Sequence, residues 1–228
     1  MLFRSWRKLP KDEPSAIGKR EGMGGVAAVV RDVPTMMALT SNYLATSYWF
    51  VFVTYMGAYF HDEFGMAKWA LGGLTMVMGL GVLVGGNVGG RLSDRSGKRP
   101  VLLVTSAACA IFIAMETTVA LNLALGAVML FLFATAGGAR FASAQAIVSE
   151  LSPSRRGTVM ALNASGQQFG IVTGSALGAV VLSIFGYAGL GPTAALLALA
   201  SLVTYAVFVD ERRFAPEPAR DLARAAGR

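Results

Sequence analysis

The feature that most constrains this chain is a dense group of charges between two long apolar runs. Residues 91–99 carry four basic side chains and one acidic side chain, whereas residues 69–90 and 100–115 carry no charge. A helix that crosses hydrocarbon cannot hold charges at that density, because each would leave water without a partner. The charged group is therefore predicted to be a short loop between two membrane spans. Its excess of cations places that loop on the cytoplasmic side.

The composition indicates a polytopic membrane protein. Hydrophobic residues make up 54% of the chain, charged residues only 14%, and the mean hydropathy is +0.56. The pI of about 9.9 does not indicate nucleic-acid binding, because the cations lie at the termini and in short loops rather than on one folded face. The single cysteine, Cys109, lies in an apolar run and the single histidine is His61. We expect no metal site and no cofactor.

The apolar runs predict an all-α protein of six transmembrane helices, each near the roughly 20 residues that a bilayer requires. The predicted spans are 36–60, 69–90, 101–119, 123–149, 158–185 and 190–209. A basic cytoplasmic segment, 1–35, precedes the bundle of 36–209, and a cytoplasmic tail, 210–228, follows it. All of the 20 Lys and Arg except Lys68 and Arg140 fall in the terminal segments and two inner loops. Both termini are therefore predicted to be cytoplasmic, in the inner membrane of the cell.

The order of residues in the charged loop resembles the loop motif of the major facilitator superfamily of secondary transporters. Gly97 permits the left-handed turn of a tight loop, Pro100 suits the first turn of the next helix, and Asp94 is within reach of a basic neighbour. The resemblance implies a latch on the cytoplasmic side that breaks during transport, whereas spacing alone fits a plain positive-inside anchor equally well. The motif residues are Gly90, Leu92, Asp94, Arg95, Gly97, Lys98 and Arg99.

The same resemblance implies one half of a carrier that has two six-helix units. Residues 152–163 are similar to the inner loop and eleventh helix of bacterial drug-efflux members, which favours a C-terminal half. The implied function is an efflux-like secondary transporter, an antiporter that moves a small molecule across the lipid bilayer by alternating access. The chain would work as a homodimer or beside a separate six-helix half. Coupling to protons is left open.

Two glycine ladders in the second and fifth spans predict close helix packing. Glycine costs about 1 kcal/mol against alanine inside a helix, so repeated glycines imply compensating contacts. The contacts are either ordinary packing inside the bundle or a seam with a second six-helix unit, and we predict the seam. The ladders comprise Gly81, Gly85 and Gly89, and Gly166, Gly170, Gly174 and Gly178.

A substrate cavity is predicted along the first and fourth spans. Tyr48, Phe52 and Tyr55 share one helical face, which suits amphipathic or cationic molecules, although bundle packing would give the same pattern. Arg140 lies deep in the fourth span with Gln145 nearby, and intramembrane cations usually face a wet interior. We predict that both line the cavity.

Glu116 is the one acid well inside a predicted span. It is either a coupling carboxylate held in a buried site or a side chain solvated near the outer interface, and the second is the expectation because the end of the span is close.

Other classes of membrane protein fit the sequence less well. An intramembrane protease needs a buried Ser–His pair, but His61 lies outside the predicted spans. A channel needs a filter loop or a ring of carboxylates, which the sequence does not present. We therefore expect no enzyme activity and no catalytic residue. A truncated or split-gene half without transport of its own, or a structural or assembly protein, remain the alternatives.

Overall fold

A computed structural model of the chain describes residues 23–119 and 122–209. Most of the predicted basic segment, up to residue 22, and the predicted tail 210–228 lie outside the described residues. The described residues form helices joined by short turns, in agreement with the predicted all-α class. In chain order these are α1 Met23–Arg31, α2 Val33–Val53, α3 Met56–Phe64, α4 Leu71–Ser96, α5 Lys98–Thr118, α6 Leu123–Glu150, α7 Arg156–Phe185 and α8 Leu190–Phe208.

Five of the helices, α4 to α8, are long and apolar enough to cross a membrane. Within the described residues α2 does not reach that hydropathy, because polar residues such as Ser41, Asn42 and Ser47 interrupt its apolar content. A turn at Thr54 and Tyr55 separates α2 from the short α3, where one continuous first span is predicted. The structure therefore gives five candidate spans, and a sixth stays a prediction.

The charged motif is mostly helical rather than a loop. Helix α4 continues through Arg95 to Ser96, and Gly97 alone separates it from α5. Gly97 has a φ of 89°, so the predicted positive-φ turn is confirmed. The predicted loop is wrong because the C-terminal end of α4 extends beyond the apolar run, where the exposed Arg91 and Arg95 can be solvated by water along the helix.

The helices pack in a series. α4 packs on α6, α6 on α5, α5 on α8, α8 on α2, and α2 on α7, so α4 and α7 are its two ends. One core cluster lies around Tyr48, Phe52 and Phe133, and a second lies around Leu102 and Val148 towards the motif end. The outward faces of α5 and α8 expose apolar side chains, as helices in contact with lipid do: Val104, Ile111, Leu196, Val203 and Val207.

Candidate functional site

The contact between α2 and α7 is built on three glycines of the second ladder. Gly170, Gly174 and Gly178 lie against the α2 backbone at Tyr43, Ser47 and Val51. A Cβ added to Gly174 would overlap the carbonyl oxygen of Ser47. Only glycine allows the two backbones to approach this closely, which brings their polar side chains into contact.

Hydroxyl groups from both helices line this contact. The Tyr43 hydroxyl donates to Thr173 Oγ1 at 3.0 Å, and Ser47 Oγ lies 3.3 Å from the same oxygen. Nearer α3, Thr54 Oγ1 lies 2.8 Å from Ser175 Oγ, and the Tyr55 hydroxyl donates to the Ser175 carbonyl at 2.8 Å. We call these residues the polar face: Tyr43, Ser47, Thr54, Tyr55, Thr173 and Ser175.

Part of the polar face reaches the surface of the chain. Thr54 and Thr173 are exposed, and Tyr43 and Tyr55 are half-buried. Hydrocarbon offers exposed hydroxyls no further hydrogen bonds, so lipid is a poor neighbour for such a surface. This side of the α2–α7 pair is suited to water, to a polar solute or to another polar protein surface.

Three side-chain amides connect α2, α7 and α6 beside the polar face. Asn42 Nδ2 donates to Asn163 Oδ1 at 3.0 Å, and Asn163 Nδ2 donates to Gln145 Oε1 at 3.0 Å. Asn42 and Asn163 are buried, while Gln145 is half-buried. This amide relay presents a hydrogen-bonding group of α6 beside α7.

Arg140 lies in the interior, among serines of three neighbouring helices. Its Nε donates to Ser106 Oγ of α5 at 3.0 Å, and its Nη2 donates to Ser201 Oγ of α8 at 2.9 Å. Nη2 also lies 3.3 Å from both oxygens of Ser41 on α2. The side chain is 5% exposed, so the structure places Arg140 between helices rather than on the predicted cavity.

Ser41, Ser106 and Ser201 form a cage around the Arg140 guanidinium. Ser106 and Ser201 act as acceptors for it because their own hydroxyl protons are donated elsewhere. Ser201 Oγ donates to the Ser41 carbonyl at 2.8 Å, and Ser106 Oγ donates to the Leu102 carbonyl at 2.7 Å. Each oxygen is therefore free to point its lone pairs at the cation. The cage replaces the water that Arg140 loses on burial and connects α6 to α2, α5 and α8.

The predicted aromatic lining of the cavity is wrong for two of its residues. Tyr48 and Phe52 are 1% and 0% exposed and pack edge-on against Phe133 in the core. Tyr48 and Phe52 face the core because a different side of α2, the one with Tyr43 and Ser47, packs against α7. Tyr55 belongs to the polar face and Gln145 is part of the amide relay; both are half-buried, and their role as cavity residues stays a prediction.

Glu116 is not solvated, contrary to the expectation. The side chain is fully buried, and neither carboxylate oxygen has a hydrogen-bond partner in the described part of the chain. The sequence places it near the end of a span, but α3 packs over that end. The Tyr59 hydroxyl of α3 donates to the Glu116 carbonyl at 2.8 Å.

The family model of the Major Facilitator Superfamily matches residues 35–226, which is most of the chain. The chain belongs to the major facilitator superfamily. It is therefore a multi-pass membrane protein and a transporter of the major facilitator type, in a family of transporters rather than enzymes. No curated protein matches the chain in the corresponding search.

The first glycine ladder of this major facilitator chain is occupied by its own α6. Gly81, Gly85 and Gly89 are buried against the backbone of α6 between Phe131 and Ala139. Six of the seven ladder glycines thus pack inside the chain, and only Gly166 has open space beside it. The ladders themselves therefore leave no free seam for a partner, and the predicted homodimer or separate half needs other support.

The major facilitator motif has a different set of contacts from the one predicted. Lys98 forms an ion pair with Glu150 of α6, and Arg99 Nη2 donates to the Ala206 carbonyl of α8 at 2.8 Å. Asp94 and Arg95 are exposed, and the structure shows no pairing of Asp94 with either Arg95 or Arg99. Gly90 has open space beside it. The latch stays a prediction.

Sequence reasoning missed the residues that organise the site. Asn42, Asn163, Ser106 and Ser201 were not predicted as functional, although each is a polar residue inside an apolar run. That signal locates polar positions within spans, but it does not show which of them meet. The partners of Arg140 are separated by long stretches of chain, so only the packing of four helices brings them together.

Proposed function

We propose that this major facilitator protein is an efflux-like antiporter that moves a small amphipathic molecule by alternating access between two six-helix units. The observation that carries the proposal is the polar face. It places hydroxyls of two neighbouring helices, joined by hydrogen bonds, at a surface where lipid would leave them poorly satisfied. A transport path needs such a surface, whereas the exposed faces of α5 and α8 are apolar.

The proposed architecture counts α2 and α3 together as the first of six spans, with both termini in the cytoplasm and the protein in the inner membrane. In this arrangement the second unit, either another copy or a separate half, faces the polar face across an aqueous cavity. Tyr55 and Gln145 would contact the solute, since both are half-buried and both carry polar groups.

We further propose that the exposed Asp94 serves the latch between units. Its neighbours Lys98 and Arg99 are engaged with α6 and α8, so the motif holds its own helices together and leaves Asp94 for the second unit. An exposed carboxylate at the cytoplasmic end of α4 fits such a contact. The pairing would form in one state of the cycle and break in the other.

Transport by paired threonine variants tests the proposed path. Thr173→Val removes a hydroxyl from the polar face while keeping the shape. Thr204→Val makes the same change among the apolar residues of α8, where the Thr204 hydroxyl donates to the Ala200 carbonyl. In proteoliposomes loaded with a fluorescent lipophilic cation, we expect Thr173→Val to slow efflux about threefold to tenfold, the effect of one lost hydrogen bond. Thr204→Val should transport at the wild-type rate. Equal rates in both variants would contradict the proposed path.

A further inference from the structure

The side chain of Glu116 has none of the partners that a buried carboxylate needs. It lies two residues before the end of α5, is fully buried, and offers both oxygens to no donor among the described residues. The ion pair that the described chain contains, Lys98 with Glu150, is at the opposite end of α5. Arg140 contacts α5 at Ser106, about 15 Å along the helix from Glu116 at 1.5 Å per residue.

The neighbours that the structure places beside the carboxyl group, Phe60 and Gly126, are apolar. A Cβ added to Gly126 of α6 would lie 3.4 Å from Glu116 Oε1 and 3.1 Å from the Phe60 ring, so the glycine makes room for both. A metal cation requires several oxygen ligands, which a phenyl ring and a glycine Cα do not provide. An ionised carboxylate without a partner is strongly disfavoured here, and the neutral acid costs much less. The chemistry of the site therefore fits a proton.

The titratable groups on the surrounding helices do not compensate a charge at this position. Tyr59 of α3 is the closest, and its hydroxyl donates to the Glu116 carbonyl. The Tyr187 hydroxyl, before α8, donates to Asp62 Oδ2 of α3, and His61 Nδ1 lies 2.7 Å from the Met66 carbonyl. The first turn of α6, residues 123–126, carries no charged residue. These groups hold α3 in place and leave the carboxyl group alone.

Helix α3 covers this site, and the turn at Thr54 and Tyr55 connects it to α2. Tyr55 N bonds the Phe52 carbonyl in a tight turn, after which Met56 begins α3. Phe60 and Tyr59 of α3 are both buried, the first against Gly126 and the second among aromatic rings. A rotation about the turn at Thr54 and Tyr55 would lift both rings and admit water to Glu116.

We propose that Glu116 is a proton-binding site closed by α3. With α3 docked, the carboxyl group carries a proton. When α3 lifts, the O–H bond breaks, the proton passes to an entering water molecule, and water solvates the carboxylate. Docking reverses the step with a proton taken from water. The docked state binds one proton more than the lifted state, so docking weakens as pH rises.

Infrared spectroscopy of the full chain in nanodiscs tests the protonation. Wild-type protein at neutral pH should show the C=O stretch of a protonated carboxylic acid, and Glu116→Gln should lose it. Asp94→Asn is the matched control and should retain the band, because Asp94 is exposed at the other end of the bundle. A wild-type spectrum without the band would overturn the proposal. The same spectra in sodium-rich buffer identify the ligand, since loss of the band on adding sodium would mean a metal cation instead.

Distance measurements test the coupling to α3. Spin labels at Ala58→Cys on α3 and Leu123→Cys at the start of α6 occupy exposed positions. In the wild-type background we expect a longer distance to become populated as pH rises, and in the Glu116→Gln background the short distance should persist at every pH. A wild-type distance that does not change with pH would overturn the coupling, and this arm does not depend on the folding of the variant. Neither measurement uses transport, so a negative result for the proton site can be told apart from a failure of the proposed transport function.

Discussion

Two pairs of helices in this chain use the same backbone device in opposite surroundings. In the α4–α6 contact and in the α2–α7 contact, glycines spaced four residues apart let two backbones touch. The α4–α6 contact contains a buried hydroxyl pair, Ser93 with Ser143, and its Thr135 hydroxyl bonds within α6 rather than to α4. The α2–α7 contact is lined by the polar face. The glycines therefore set how closely the helices approach, and the residues beside them determine what the contact is suited to.

Two polar links join these pairs into one unit. The cage around Arg140 connects α6 to Ser41 of α2, and the amide relay connects Gln145 of α6 to Asn163 of α7. Tyr48 and Phe52 of α2 also pack on Phe133 of α6, so the two polar links add hydrogen bonds to an apolar contact between the pairs. Changes at the glycines, the cage and the relay should therefore have graded effects.

The largest effect is expected at the centre of the α4–α6 contact. Gly85→Ala places a Cβ on the carbonyl oxygen of Thr135, so the backbones must separate, and we expect a loss of about 3 kcal/mol in unfolding free energy. Gly86→Ala is the matched control, because its Cβ would meet Gly138 at an ordinary distance of 4.0 Å. Unfolding in mixed detergent measures both. Equal losses would mean that helix propensity rather than packing governs this contact.

A smaller effect is expected in the cage. Ser201→Ala removes an acceptor of Arg140, and a hydrogen bond to a charged group contributes about 2 kcal/mol. In an Arg140→Met background the same change should cost much less, because no cation then needs the oxygen. Ser149→Ala, which removes only a local bond to the Ala146 carbonyl, provides the control. If Ser201→Ala costs the same in both backgrounds, the serine acts without Arg140.

The smallest of the three effects on stability is expected in the relay. Asn163→Ala removes two amide bonds, but the half-buried Gln145 can turn to water, so we expect a loss of about 1.5 kcal/mol. Asn87→Ala removes a single exposed bond to the Leu83 carbonyl and should be nearly neutral. Unfolding in mixed detergent measures the unfolding free energy of both variants. A neutral Asn163→Ala would show that α6 and α7 are held by packing alone.

The sequence was informative about helices because their signals are local. Apolar runs placed α4 to α8 to within a few residues at most ends, and a single positive-φ glycine was predicted correctly at Gly97. Glu116 is buried rather than solvated because α3 covers it. The position of α3 follows from a helix break at Thr54 and Tyr55 that hydropathy does not reveal. The outcome for Tyr48 and Phe52 depended on which side of α2 meets α7. Both outcomes depend on packing between segments that are distant in sequence, which local patterns such as hydropathy and helical periodicity do not encode.

Water access to the polar face is the most direct test of the central claim that α2 and α7 line a transport path. Thr173→Cys and Thr204→Cys would be treated in sealed proteoliposomes with a small charged thiol reagent, applied on either side. The wild type, whose Cys109 is buried, gives the background. The account predicts that position 173 is labelled rapidly, while position 204, on the apolar side of α8, is labelled only at the background rate. Labelling at position 173 that is as slow as at position 204 would show that the polar face does not meet water and would contradict the account.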